Sequence, residues 1–488
     1  MDRVAGFAIL LFIIQSIEGT AFYFSVGCAA FLILVALAFN AGGGLTRAAG
    51  AYVFFYAILV VVIGLCYKAL LGEPAESNLN DPRTTIAAYV ATAASLLVTV
   101  VLSRLLSRKR GLLEDMLEKS EMYRSSVGCI VFGIGGATFI SLFDTHGSTI
   151  NKIFTQLNQL IPLGIIIGVI YEIRRSAGKR SINLPVGLAI MYYFVIYGLL
   201  AFSKQGMLTA VFCWAMPVCA MRYRLTALQV ASCMLGVFIV FQYLVPYSQY
   251  GRRFLIDNPS TSERYTIAMR LLKHPSDTRR RFEETQEAGP GAGHYFNKSQ
   301  GFWDRLNFIG VDDSLINVTD EGHVYGTSPI LSTFVNAVPH FIFPDKPTRN
   351  YGNIYAHEVG GLPEDDTTTG VSFSPTSEAY HMDKWMGIFL IAPLIWFLLF
   401  FILDSLLGDL RATPWGLLAL ALLSHTAPEG GLTGAISLFT FGAEIFIFSA
   451  YFATWLAPTF AVAVLGRDRR SSRKEIVLWP GLTSRVPQ

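Results

Sequence analysis

"AFYFSVGCAAFLILVALAFN", residues 21–40, runs for twenty residues without a charge. As a helix it would reach about 30 Å, the thickness of the hydrocarbon core of a bilayer. Comparable apolar runs cover 4–19, 48–71, 85–107, 126–143, 152–172, 183–203, 207–222, 226–247, 385–405, 414–433 and 434–465. The composition agrees, at 52% hydrophobic and 15% charged. Soluble domains carry about a quarter charged residues, so this chain is short of water-facing surface. The reading is an all-α polytopic membrane protein with about twelve transmembrane helices. A net charge of +3 gives no reason to expect a nucleic-acid partner.

The charges set an expected topology. Basic connectors at Arg104–Arg110, Arg174–Arg180 and Arg222–Arg224, and the tail Arg467–Lys474, are separated by even numbers of apolar runs. Positive loops stay inside, which puts all four connectors and both termini in the cytoplasm. The acidic loop "GEPAESNLNDP" (72–82) and the polar stretch 248–384 then fall outside. The expected domains are a membrane bundle over 1–247, a periplasmic loop domain over 248–384, membrane helices over 385–465 and a basic tail over 466–488. The start "MDRVAGFAILLFIIQSIEG" lacks a small-x-small cleavage site and reads as a retained first helix. The six cysteines all sit in apolar runs and read as buried small hydrophobes rather than as a disulfide framework.

Inside the polar stretch, residues 259–284 read as helix interrupted near Pro275, with Ser260 or Thr261 as cap. Residues 285–300 are a Gly-rich loop. An amphipathic helix is expected over 301–317, with Phe302, Leu306, Ile309 and Leu315 on one face, and an apolar helix over 327–343. Residues 344–377 read as loop, leading back into the membrane near Trp385. Outside this stretch, 108–124 reads as a solvated cytoplasmic helix. The glycines of "VFGIGGATF" (131–139) read as close helix packing, and "HTAPEGG" (425–431) as a break between the last helices.

The corner "VPHFIFPDKP" (338–347) is stiff, because residues before proline are driven to extended backbone. That stiffness either presents Asp345 and Lys346 to a ligand or simply stops a helix. The corner is followed by "SPTSEAYHMDKWMG" (374–387), and the turn "FSKQGMLTAV" (202–211) joins two apolar runs. With these elements the chain resembles the Wzy-type oligosaccharide repeat-unit polymerases of the O-antigen polymerase and ligase class. It departs from their pattern at His340, where members often have Arg after the first proline.

The resemblance implies a metal-independent glycosyltransferase of the bacterial inner membrane, without a cofactor. Glycan on undecaprenyl diphosphate would pass to the next lipid-linked unit in surface or exopolysaccharide synthesis, beside a chain-length regulator and a flippase. A departing diphosphate needs fixed cations, and guanidinium suits it. Lys204, Arg252, Arg253, Arg305, Lys346 and Arg349 are the candidate substrate-binding residues. Arg252 and Arg253 also fit interfacial anchoring, and Arg305 also fits neutralisation by Asp304 or Asp312. Glu378 and His340 are the candidate catalytic residues for engaging the acceptor hydroxyl. Glu378 also fits a helix-dipole role, and His357 and His381 fit solvated loop histidines. The alternatives are an O-antigen ligase, a flippase or transporter of lipid-linked saccharides, and a lipid-phosphate-sugar transferase using Glu73, Glu76 and Asp81.

Overall fold

The computed structural model describes residues 1–142, 159–255, 259–287, 294–298, 300, 303–338, 343, 346, 349–367 and 369–466. It is 76% helical with no strand among the described residues, so its layers are helix on helix. In chain order the first helices are α1 (Asp2–Ile17), α2 (Phe22–Ala41), α3 (Ala48–Leu70) and α4 (Pro82–Leu106). There follow α5 (Met122–Leu142), α6 (Leu160–Arg175), α7 (Leu184–Leu199), α8 (Lys204–Ala220) and α9 (Ala227–Leu255). The polar stretch carries α10 (Thr261–Lys273), α11 (Pro275–Glu287), α12 (Ile309–Asp320), α13 (Ser328–Ala337) and α14 (Tyr351–Glu358). The last three are α15 (Pro375–Leu407), α16 (Pro414–Glu429) and α17 (Gly431–Val464).

Among the described residues six helices, α2, α3, α4, α9, α15 and α17, are long and apolar enough to cross a membrane. Local chemistry explains where helices begin. Asp81 accepts from Thr84 N–H ahead of Pro82, and Ser260 with Glu263 forms a reciprocal cap on α10. Pro275 starts α11 where the sequence places the interruption.

Several expectations are corrected. Residues 108–120 are turns rather than helix, and Leu112 and Leu113 donate to the carbonyls of Ser405 and Leu406 at the end of α15. The amphipathic helix starts at Ile309, so Leu306 lies outside the face shared by Ile309 and Leu315. The loop expected at 344–377 contains α14, capped by Asn350. The following helix begins at Pro375, ten residues ahead of Trp385, because Ser374 caps it. Cys219 and Cys233 are exposed on apolar helices rather than buried.

The contacts divide the chain into two compact units. One comprises Met1–Glu114, Thr285–Leu410 and Leu422–Glu444; the other comprises Asp115–Glu284, Arg411–Ala421 and Ile445–Gln488. In the second unit α5 packs on α6, on α17 and, through α6, beside α8. A Cβ on Gly128 would overlap the Ala457 backbone, and one on Gly133 would press on Ile161, so these small residues set the approach.

In the first unit α2 lies along α4, and α4 lies along α15. Trp396 donates from Nε1 to Tyr52 Oη at 3.0 Å, and Phe400 meets the Tyr52 ring at 5.5 Å. Apolar burial alone does little to drive helices together when lipid is as apolar as leucine, so polar contacts carry more of the specificity. Three stand out. Asp404 of α15 accepts from Ala48 N–H at 2.7 Å, placing a carboxylate on the positive end of α3. Lys68, fully buried on α3, donates to the carbonyls of Ser77 and Tyr295 and stands 3.9 Å from the Tyr295 ring centroid.

The third is the adjacent pair Asp312 and Asp313 on α12, both almost fully buried. Asp312 accepts from Tyr89 Oη (2.5 Å), Ser377 Oγ (2.6 Å) and Ser374 N–H (2.9 Å). Asp313 accepts from Asn80 N–H (2.6 Å), Thr85 Oγ1 (2.8 Å) and Asp81 N–H (3.1 Å). Burial pushes both carboxyls above the usual range, against the pull of their donors. Together they fasten α12 to the starts of α4 and α15.

Asp312→Ala leaves three buried donors unpaired and should cost about 3 kcal/mol or more. A marked fall in the thermal midpoint of the detergent-solubilised protein is expected, with a smaller fall for Asp312→Asn. An unchanged midpoint in Asp312→Ala would show that α12 is held by something else.

Candidate functional site

Two clusters carry chemistry, one in each unit. In the first unit the cluster forms on the opening turns of α15. Glu378 is 3% exposed, and its carboxylate accepts from the backbone N–H groups of Leu432 and Thr433 at the start of α17. It therefore satisfies a helix end, but the end of α17 rather than of its own helix. Gly431 is required there twice over. Its φ is +58°, and a Cβ would overlap the Glu378 carboxylate.

One turn on, His381 has no exposed side-chain surface, which corrects the solvated-loop reading. Its Nδ1 lies 2.8 Å from Thr319 Oγ1, and its Nε2 lies 2.9 Å from Glu358 Oε2, at ion-pair distance but off hydrogen-bond alignment. The rings of Tyr325 and Tyr355 cover it, at 5.7 and 4.9 Å between centroids. Burial, and next the Glu378 charge, hold the Tyr355 phenol well above its usual range, and its hydroxyl has no hydrogen-bond partner among the described residues. His357 turns elsewhere, with Nε2 2.9 Å from the Asp366 carbonyl.

Directly after this cluster α15 breaks. Asp383 (φ −163°, ψ 49°) and Lys384 (φ 43°, ψ −127°) leave helical geometry, and Lys384 occupies backbone that side chains rarely adopt. The orphaned carbonyls of His381 and Met382 accept from Tyr325 N–H (2.9 Å) and Gly326 N–H (3.1 Å). Asp320 receives Tyr380 Oη at 2.7 Å and the Lys384 ammonium at 3.3 Å. Against the upward push of burial, these partners hold Asp320 below the usual carboxylate range.

In the second unit the turn between α7 and α8 carries Lys204 and is met by Arg252, with Arg253 next in the chain. Phe202 is buried with φ +46°, and its carbonyl accepts from Arg252 Nε at 3.2 Å. Lys204 is the first residue of α8, after the cap Ser203, which accepts from Gly206 N–H at 3.1 Å. Arg253 stands 5.8 Å from the centroid of the Tyr250 ring. Underneath, Phe202 and Tyr247 pack with Ala268 and Leu271 of α10. Thus Arg252 is pinned to the backbone two residues from Lys204, at the end of an apolar helix.

The remaining candidates are placed differently. Lys346 donates to the carbonyls of Asn336 and Val338, where it closes the end of α13. That is the helix-stopping role considered for this corner. Arg349 is exposed. Arg305 ends a short turn of helix, Trp303–Arg305, and Asp312 has both oxygens engaged by other donors. His340 lies outside the described residues. Comparison with known family models, with curated proteins and with solved structures finds no match for the chain.

Sequence reasoning named Asp312 only as a partner for Arg305 and missed Glu358 and the burial of His381. The available signal was two adjacent acids inside "FIGVDDSLIN" (308–317), where an amphipathic helix puts them next to its apolar face. Gly431→Ala is expected to drive the Glu378 carboxylate off its two donors and to cost about 2 kcal/mol. Thermal midpoints of Gly431→Ala and Gly434→Ala compare a left-handed site that a Cβ would overlap with a helical one where it would only press on the Thr426 methyl. Equal midpoints would remove the constraint assigned to Gly431.

Proposed function

We propose that this chain is an inner-membrane glycosyltransferase that polymerises lipid-linked oligosaccharide repeat units at the periplasmic face. The supporting observation is that Arg252, with Arg253 next to it in the chain, is bonded to the turn that carries Lys204, at the ends of apolar helices. A lipid diphosphate presents its charge at that depth, and fixed guanidinium and ammonium groups stabilise it as it departs. In the step, the acceptor hydroxyl oxygen bonds to the anomeric carbon of the donor glycan. The bond from that carbon to the diphosphate oxygen breaks, undecaprenyl diphosphate leaves, and the hydroxyl proton passes to a base.

The reading takes the twelve apolar runs as twelve spans, with both termini cytoplasmic and residues 248–384 periplasmic. The motif resemblance at 338–347 and 374–387 supports it apart from the cation cluster. The first-loop acids offer the rival transferase little. Glu73 accepts from Asn297 N–H, Glu76 accepts from Ala21 N–H, and Asp81 caps α4, so each has a structural partner.

A second reading, transport of the same lipid-linked saccharide, is favoured by the break in α15, since transporters use discontinuous helices. The break falls in the first third of that helix rather than at its middle, which weakens this support.

The combined variant Lys204→Gln, Arg252→Gln, Arg253→Gln should insert normally and reduce polymer about tenfold or more. That is the worth of a single charge-assisted hydrogen bond of about 1.5 kcal/mol. Polymer length and yield on gels from membranes with matched protein levels make the check. Wild-type polymer from the triple variant would remove these residues from the mechanism.

A further inference from the structure

One aromatic pair belongs to neither cluster. At the end of α3 the Tyr67 ring stacks on the Trp303 indole, 4.6 Å between centroids and 13° from parallel. Tyr67 thus backs one face of the indole, while Trp303 keeps 38% of its surface open. Such a ring is ordered without the gain of full burial, so neighbouring contacts must hold it. The Phe296 ring stands edge-on to Tyr67 at 5.3 Å, and Tyr67 Oη donates to Gln300 Oε1 at 3.0 Å. Asn307 Nδ2 donates to the Trp303 carbonyl at 3.1 Å. Lys68 bonds the Tyr295 carbonyl, and Phe308 N–H bonds the Val60 carbonyl at 3.1 Å. Both ends of the segment that carries Trp303 are therefore tied to α3.

An aromatic face is electron-rich, and what complements it is a flat, apolar, slightly positive surface. A pyranose ring offers that surface in its C–H face, with hydroxyls around the rim that need polar partners. Exposed polar side chains follow directly on Phe296. Asn78 Nδ2 donates to Asn297 Oδ1 at 2.9 Å, and both residues are exposed. Lys298 comes next, also exposed, and its carbonyl accepts from Gln300 Nε2 at 3.2 Å. Hydrocarbon laid over this segment would strip water from those groups without replacing it, which is costly. A sugar would replace it.

We propose that the Tyr67–Trp303 stack is a glycan subsite, with the indole taking the C–H face of one pyranose ring. Asn78, Asn297 and Lys298 meet hydroxyls farther along the saccharide. The inference rests on the polymerase reading and adds a place where the saccharide lies. Because the segment is tied to α3 at both ends, the ring is held ready and little order is lost on binding. The rival occupant is lipid, since tryptophan at the end of a membrane helix also serves as an interfacial anchor.

Fluorine NMR of the full chain in nanodiscs tests this, with 5-fluorotryptophan at all 7 tryptophans. The resonance absent from Trp303→Phe is that of Trp303. The probe is the free oligosaccharide released by mild acid from the lipid-carrier pool of a strain lacking this gene. Its addition should shift the Trp303 resonance saturably and leave those of the buried Trp396 and Trp415 in place. Affinity is read by saturation transfer on the sugar protons. Trp303→Ala should weaken it about tenfold and Trp303→Phe about threefold, the range of an aromatic contact. Unmoved Trp396 and Trp415 resonances in Trp303→Ala establish that this variant folds. A carrier pool without oligosaccharide contradicts the polymerase reading, and this occupant with it. With oligosaccharide present, unchanged affinity in Trp303→Ala overturns the subsite alone. So does a Trp303 resonance that ignores the sugar and is broadened by a headgroup spin-labelled phospholipid, the signature of an interfacial anchor.

Discussion

The burial of Asp312 and Asp313 constrains the first unit more than any other feature. Two adjacent carboxylates cannot leave water without a full set of donors, and these donors come from three places in the chain. The loop before α4, the body of α4 and the start of α15 must all reach α12. Part of the long polar stretch is thereby fixed to two long apolar helices. Such a hub is weak evidence for net stability, because apolar replacement of similar shape can be as stable. Its contribution is a unique arrangement, since a shift of α12 by one residue would leave several buried polar groups unpaired.

Once α12 is fixed, the geometry at the break in α15 follows. Thr319 and Asp320 at the end of α12 receive His381, Tyr380 and Lys384, and the next few residues supply the N–H groups that the broken helix needs. The left-handed backbone at Lys384 is tolerated because these contacts hold it from both sides. Glu378 is positioned one turn earlier, against the start of α17. In this unit the polar groups that select the fold and those available for chemistry are neighbours on the same turns.

Much of the architecture was legible in the sequence because length and hydropathy are local properties. Each apolar run coincides with a helix over most of its described length, and Ser260 and Pro275 mark helix boundaries as their chemistry dictates. Gly133 packs against a neighbouring helix as the small-residue pattern implied. What failed depended on distant partners. Residues 108–120 have helical composition, yet the end of α15 offers carbonyls that take Leu112 and Leu113 out of helix. His381 reads as a polar loop residue until Thr319 and Glu358 are brought to it from 62 positions and 23 positions away in the chain. Lys346 could not be separated from a ligand-binding lysine, because the carbonyls of Asn336 and Val338 become its acceptors only when the chain turns. Lys204, Arg252 and Arg253 stood out as candidates in the sequence because each lies at the end of an apolar run.

The proposal that this chain polymerises lipid-linked saccharides is tested most directly by deleting its gene and weighing the saccharides extracted on their lipid carrier. Single repeat units accumulating on the carrier at the outer side of the inner membrane are the predicted result. An unchanged pool, full-length polymer left on the carrier, or units held on the cytoplasmic side would contradict it. The second of these outcomes points to a ligase and the third to a flippase.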